Sequence, residues 1–141
     1  MTLSRGIYLI HNAGVPVAMD LYGGSSADST KITGWKFSDT TINWNQLWLV
    51  EPVNDKADTF TVRSIIAGTY MDLTGSNPEN GTPIIGYQKT GNPNQEWVIK
   101  HSADNKSYKM KNNATGTFAD LYNGDVLGNG AETNLERIYN E

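Results

Sequence analysis

The sequence predicts an all-β chain made of three repeated units, and three observations carry that prediction. Apolar and polar residues alternate over short runs. "DTFTVRSI" sets Phe60 and Val62 on one face and Thr59, Thr61 and Arg63 on the other. "SYKMKN" does the same with Tyr108 and Met110 against Lys109 and Lys111. This is the period of a half-buried strand, and helical periodicity is weak throughout. Clusters of turn-forming residues separate the runs: "YGGSSADS", "GSNPENGTP", "TGNPN", "SADNKS" and "NGDVLGNG". Short strands punctuated in this way read as a sandwich or a barrel. Finally, the chain repeats itself.

The first unit opens with "GIYLIHNAGVPVAMDL" at Gly6, the second with "DTFTVRSIIAGTYMDL" at Asp58, and the third with "KSYKMKNNATGTFADL" at Lys106. Each places an aromatic residue twelve positions before an Asp-Leu pair: Tyr8 and Asp20, Phe60 and Asp72, Tyr108 and Asp120. A Gly-rich turn follows, then a Gly-aromatic pair, Gly34-Trp35 and Gly86-Tyr87. Next comes Gln-x-Trp: Gln46 and Trp48 in "NWNQLWLV", Gln95 and Trp97 in "NPNQEWVI". The third unit departs from this pattern. The offset that yields Gly34 and Gly86 lands on Asn134. Its ending, "AETNLERIYNE", sets Leu135 against the Gln and Arg137 against the Trp, after a shorter loop.

Units of this size bury little alone. Closed around a threefold axis they share one core and leave no sheet edge exposed. The expected architecture is therefore a β-trefoil of three pseudo-repeats with the third shortened. It would form a single domain over 1–141, with lobes of approximately 1–52, 53–101 and 102–141. Three units are too few for a β-propeller. The last strand, Leu135 to Tyr139, is expected to pair with the first near Ile7 to Ile10.

The formal net charge is -4, and only 18% of residues are charged. That argues against a nucleic-acid partner, which wants a dense basic surface. A surface of Asn, Thr, Ser and Gly suits neutral polar ligands. The absence of cysteine excludes disulfides and thiol chemistry. No apolar run approaches the ~20 residues of a membrane span, so membrane insertion is not expected. "MTLSRGIYLIHNAGVPVAMD" lacks the apolar segment and cleavage site of a secretory leader. A cytoplasmic location, or export by an unconventional route, is the expectation. The acceptor-like "NGT" and "NAT" then read as chance matches in Asn-rich loops.

The Asp-Leu, Gly-Trp and above all the Gln-x-Trp motifs resemble those of ricin-B-type β-trefoil lectins. "RGIY", "NAGVP", "GSS", "TINW", "QLWL", "ADTFT" and "GTYMDL" make the chain more similar still to a mushroom subgroup resembling the Marasmius agglutinin. The likeness covers residues 1 to about 100 well and the remainder partly. It implies a carbohydrate-binding protein whose partners are glycans or glycoconjugates ending in galactose or N-acetylgalactosamine. The Marasmius-type lectins also carry a cysteine-protease-like domain. These residues contain no counterpart and no Cys, so that activity is not expected of them.

A sugar site needs a fixed carboxylate to accept from vicinal hydroxyls, amides beside it, and an aromatic plate for the apolar face of the ring. In lobe one these are Asp20, Trp35, Asn43, Asn45 and Gln46. Related lectins often have a His in place of Asn45, a departure that bears on specificity. In lobe two the set is Asp72, Tyr87, Asn92, Asn94 and Gln95, with a smaller plate. The rival assignments are a turn-capping Asp and a core Trp. Trp48 and Trp97 go to the core, and each Gln is expected to be a buried amide that steadies the Asp. Lobe three retains Asp120 and Asn134 alone, and no such site is expected there.

No metal or other cofactor is implied. His11 and His101 stand in unrelated contexts, and no nucleophile elbow, zinc spacing or phosphate loop is present. "GNG" at 128–130 reads as a turn, and Asp55 and Asp58 as solvated loop charges. The expectation is a protein that is not an enzyme. The sequence leaves the oligomeric state open between monomer and homodimer. An alternative from another class is a mycocypin-like protease inhibitor acting through the loops 12–17, 23–31 or 123–131, with proteases as partners.

Overall fold

The computed structural model describes residues 3–103, 106–122, 126–130 and 136–140. Twelve strands fall in three sets of four. Lobe one holds β1 (Gly6–Asn12), β2 (Val17–Leu21), β3 (Thr30–Lys36) and β4 (Leu47–Pro52). Lobe two holds β5 (Thr59–Ser64), β6 (Tyr70–Leu73), β7 (Ile84–Tyr87) and β8 (Trp97–His101). Lobe three holds β9 (Tyr108–Asn112), β10 (Phe118–Tyr122), β11 (Val126–Gly130) and β12 (Glu136–Asn140). Among the described residues the only helical pieces are three-residue 3-10 turns.

The first and last strands of each lobe pair in a ring, all antiparallel: β1 with β4, β4 with β5, β5 with β8, β8 with β9, β9 with β12, and β12 with β1. Six strands thus close into a barrel. The hairpins β2–β3, β6–β7 and β10–β11 cap it, and β3 bridges to both of the other hairpins. This is the β-trefoil.

The repeated letters map onto equivalent core positions. Tyr8 and Phe60, Ile10, Val62 and Met110, Val50 and Ile99, and Trp48 and Trp97 fill the barrel. Met19, Met71 and Ala119, Leu21 and Leu73, and Ile32 and Ile84 fill the cap. Each indole binds a backbone carbonyl: Trp48 Nε1 donates to Met19 O and Trp97 Nε1 to Met71 O, both at 3.0 Å. A buried indole N–H needs such a partner. These bonds fix the strand residue immediately before Asp20 and Asp72.

The Gly of each Gly-aromatic pair marks a close approach between lobes. A Cβ on Gly34 would lie 2.7 Å from Leu121 Cδ1, and one on Gly86 would lie 2.9 Å from Leu21 Cδ1. The Leu of one Asp-Leu thus seats on the Gly of a neighbouring lobe.

The third lobe needs three corrections. The barrel register sets Tyr8 opposite Trp48, Phe60 opposite Trp97, and Tyr108 opposite Glu136. Glu136, and not Arg137, therefore holds the Trp position. The cause is the apolar pattern. Ile138 stands opposite Ile10, as Val50 stands opposite Val62 and Ile99 opposite Met110, and a one-residue slip would break that alternation. The last strand pairs with Tyr8 to Asn12, two residues beyond the expected stretch at its far end. Second, Gly34, Gly86 and Asn129 face Met19, Met71 and Ala119, so Asn129 and not Asn134 holds the Gly position. Third, residues 128–130 belong to β11 rather than to a turn, so most of the expected loop 123–131 is strand. Residues 123–125 and 131, together with Asn134 and Leu135, lie outside the described residues.

Candidate functional site

Asp20 sits near the end of β2 with Leu21 turned into the core beside it. Asp20, Asp72 and Asp120 are all buried, at 6%, 4% and 9% exposure. After Leu21 and Leu73 the chain turns at Gly23 and Gly75, with φ of 60° and 59°, a conformation that glycine adopts without strain. The 3-10 turns Trp44–Gln46 and Pro93–Gln95 bring the two glutamines back under these carboxylates.

Gln46 Nε2 donates to Asp20 Oδ2 at 3.1 Å and to Lys36 O at 2.9 Å. Gln95 Nε2 donates to Asp72 Oδ2 and to Gln88 O, both at 2.8 Å. Both glutamines are 2% exposed. They stand behind the carboxylates as supports and hold the aromatic-bearing strand at the same time.

The aromatic plates follow from sheet geometry. Thr33 pairs with Asp20, and Trp35 lies two residues further along the same face, within diagonal reach. Trp35 is 56% exposed. A pocket of about 270 Å3 opens beside it, with Asn43, Gln46 and Phe37 among its walls. Ile85 pairs with Asp72, which places the half-buried Tyr87 equivalently. In lobe three Asp120 pairs with Gly128, so the plate position falls to Gly130. Lobe three has no aromatic residue there.

The two lobes differ in how far the carboxylate is already engaged. Asn94 Nδ2 donates to Asp72 Oδ1 and to Leu73 O, both at 3.0 Å. Both Asp72 oxygens therefore hold side-chain amides. In lobe one Asn45 turns its amide towards Gly24 instead: a Cβ there would meet Asn45 Oδ1 at 2.7 Å and Ile66 Cδ1 at 3.5 Å. Among the described residues nothing bonds Asp20 Oδ1 or the Asn45 amide nitrogen. Asn43 caps its turn by accepting from the Asn45 backbone N–H at 3.0 Å. Asn92 lines a separate cleft with Gln95 and Lys89. Trp35, Asn43 and Gln46 thus line one pocket, Gln46 links it to Asp20, and Asn45 follows Asn43 on the same turn. Asp72, Asn94 and Gln95 form a closed cluster.

Burial raises the Asp20 carboxyl above its ordinary value, and the Gln46 hydrogen bond opposes this with a smaller effect. Burial raises Asp72 too. The Gln95 bond lowers it, and the charge of Asp28 adds a further rise. Asp28 is a residue that the sequence did not disclose. It lies on the β2–β3 loop of lobe one, and its Oδ1 accepts from the Gln88 backbone N–H at 2.9 Å. The next residue, Ser29, has φ 68° and donates its N–H to Gly86 O. No local signal marks this reach, because it depends on which hairpins meet in the cap. His11 and His101 stack on Phe37 and Tyr108. Among the described residues no three His, Asp or Glu groups converge to hold a metal ion.

A family model for the ricin-type beta-trefoil lectin domain-like proteins matches residues 44–136. The chain belongs to that family. A structure of Polyporus squamosus lectin, bound to the epitope Neu5Aca2-6Galb1-4GlcNAc, is 36% identical with a TM-score of 0.85. The match covers 99% of this chain and 50% of that one, so this chain spans half the length of that lectin. The designed threefold-symmetric protein ThreeFoil matches with a TM-score of 0.86 at 19% identity, covering 96% of this chain and 99% of its own. The Rhizoctonia solani agglutinin matches with a TM-score of 0.73 at 24% identity, covering 100% and 89%. These last two speak for the fold alone. No curated protein sequence matches the chain.

Proposed function

We propose that this protein is a lectin of the Marasmius-agglutinin-like kind, that it binds glycans ending in galactose or N-acetylgalactosamine without transforming them, and that lobe one is its principal site. One observation carries the reading. Asp20 is held from behind by Gln46, keeps Oδ1 free of protein partners among the described residues, and lies diagonally across the sheet from an exposed Trp35. A galactoside presents an axial hydroxyl beside an equatorial one, which a carboxylate can accept from together. Its C–H face suits an indole. Asn45 offers an amide at the edge. The carboxylate is preorganised, so little is lost in ordering it when ligand binds.

In lobe two Asn94 already occupies Asp72 Oδ1, and Tyr87 is a smaller plate. Binding there is weaker on this reading. Lobe three has Gly130 in the plate position and binds nothing. The Polyporus squamosus lectin, whose bound epitope carries a galactose beneath a terminal Neu5Ac, supports a galactose-containing glycan as the ligand.

Calorimetry with galactose, N-acetylgalactosamine and glucose tests the proposal. The first two should bind and glucose should not. If no galactoside binds, the lectin reading fails, and assays against papain-like and pepsin-like proteases become the next experiment.

A further inference from the structure

A second cavity adjoins the lobe-one pocket and extends well beyond the site described above. It encloses about 660 Å3 between β1, β4 and the loop 37–43. It shares Phe37, Ser38, Thr41, Asn43 and Gln46 with the pocket beside Trp35, so the two spaces run into one another.

The pseudo-threefold axis supplies the comparison that gives this cavity meaning. Its lobe-two counterpart encloses about 300 Å3, and Asn92 and Gln95 stand there in place of Asn43 and Gln46. Pro52, Val53 and Tyr70 wall the lobe-two cleft on a side that the lobe-one cleft does not share, but at the matched positions the walls that differ all differ in one direction. Leu9, Phe37, Ile42 and Leu47 in lobe one stand where Thr61, Lys89, Gly91 and Glu96 stand in lobe two. Four positions have changed from polar, charged or absent side chains to apolar ones. Ile42 is 60% exposed and caps nothing in the core. An apolar side chain exposed at a cleft mouth is unfavourable in water, and such patches mark binding surfaces.

We infer that this cleft is an extended subsite of lobe one, and that it takes the next sugar unit of an oligosaccharide, seated with an apolar face or an acetamido methyl group against Leu9, Phe37, Ile42 and Leu47. This rests on the lobe-one lectin reading and deepens it. A sugar, and not a lipid or a peptide, is the occupant because the cleft is continuous with the Trp35 pocket and mixes apolar walls with the polar groups of His11, Asp39 and Asn43. Its size suits one or two pyranose rings, inside the range of ~300–1,000 Å3 usual for small-ligand sites. The ligand of lobe one is then at least a disaccharide, and lobe two lacks the equivalent grip.

The experiment compares methyl β-galactoside, N-acetyllactosamine and octyl β-galactoside on three proteins: the wild type, Ile42→Gly and Leu9→Thr. Each substitution installs the lobe-two residue. The wild type should bind N-acetyllactosamine about tenfold more tightly than the methyl glycoside, a step of about 1.4 kcal/mol. Both variants should lose that gain and keep the methyl-glycoside affinity, with melting curves showing intact folding. Equal affinity for the two sugars in the wild type overturns the subsite. So does a gain that survives in both variants. An octyl glycoside that gains as much as the disaccharide overturns the sugar occupant in favour of an apolar aglycone. Methyl-glycoside binding separates the two readings: if it is absent the lectin reading itself has failed, and if it is present the outcome concerns the cleft alone.

Discussion

Asn94 closes on Asp72 at 3.0 Å, whereas Asn45, its counterpart in lobe one, leaves Asp20 alone. The two lobes carry the same residue types at these positions and offer a ligand different carboxylates. The consequence is an order of effects. Asp20→Ala should weaken galactoside binding about five- to 150-fold, because the sugar hydroxyls lose their central acceptor at about 1–3 kcal/mol. Asp72→Ala should cost less, and Asp120→Ala nothing measurable. Titration of each variant, with its melting temperature checked, reads the order directly.

A second expectation concerns protons. The folded Asp20 carboxyl holds its proton to higher pH than the unfolded one, whose ordinary value is 3.8. Between those two values the native state binds more protons, so this group's contribution to stability falls as pH rises through that window. Sugar binding runs the opposite way, because the ionised carboxylate is the better acceptor. Galactoside affinity should therefore decline on acidification, starting at a higher pH than for an ordinary aspartate, without a parallel loss of stability from this group. Asp20→Asn should flatten the stability term and keep the Gln46 bond, since its amide oxygen can still accept. Affinity and melting temperature followed together down the pH scale would show whether the two trends oppose.

The contact between Gly34 and Leu121 predicts a coupling across lobes. Gly34→Ala puts a methyl group where Leu121 already lies and should cost about 1–3 kcal/mol. Leu121→Ala alone leaves a gap. Combined, the two should cost less than their sum, because the new methyl enters the space that the leucine vacated. Denaturant unfolding of the four proteins of the cycle measures this, and simple additivity would count against the contact.

The barrel closes through β12, which pairs with β1 along five residues. A chain ending at Glu132 leaves β1 and β9 with unpaired backbone and opens the core below them. It should be insoluble or lack a cooperative melting transition. A soluble, cooperative truncation would show that the last strand is dispensable.

Most of the architecture was legible because single letters serve two purposes. Trp48 fills the core and ties down Met19, Gln46 steadies Asp20 and binds β3, and Gly34 admits a neighbour's leucine. A residue under two constraints repeats faithfully, and the repeat shows. The register of β12 was misread by one residue because lobe three has neither the Gln nor the Trp that would have anchored the alignment. The third Gly position was missed for the same reason, with Asn129 standing where Gly34 and Gly86 gave the signal. Within the site, sequence could not separate Asn45 from Asn94. The same amide turns one way where Leu73 O and Asp72 receive it and another way beside Gly24. Asp28 was invisible because its neighbours come from another lobe.

The leucine of Asp-Leu in one lobe seats on the glycine of a neighbour, from Leu21 to Gly86 and from Leu121 to Gly34. Lobe one thus carries both a key and a lock, and neither fits within the same lobe. The fit runs as a chain, with lobe three's leucine in lobe one and lobe one's leucine in lobe two. The hairpin of lobe one is therefore seated only when both of its neighbours are folded against it. Asn129 stands where a third lock would be, so the chain does not repeat around the axis as the barrel does.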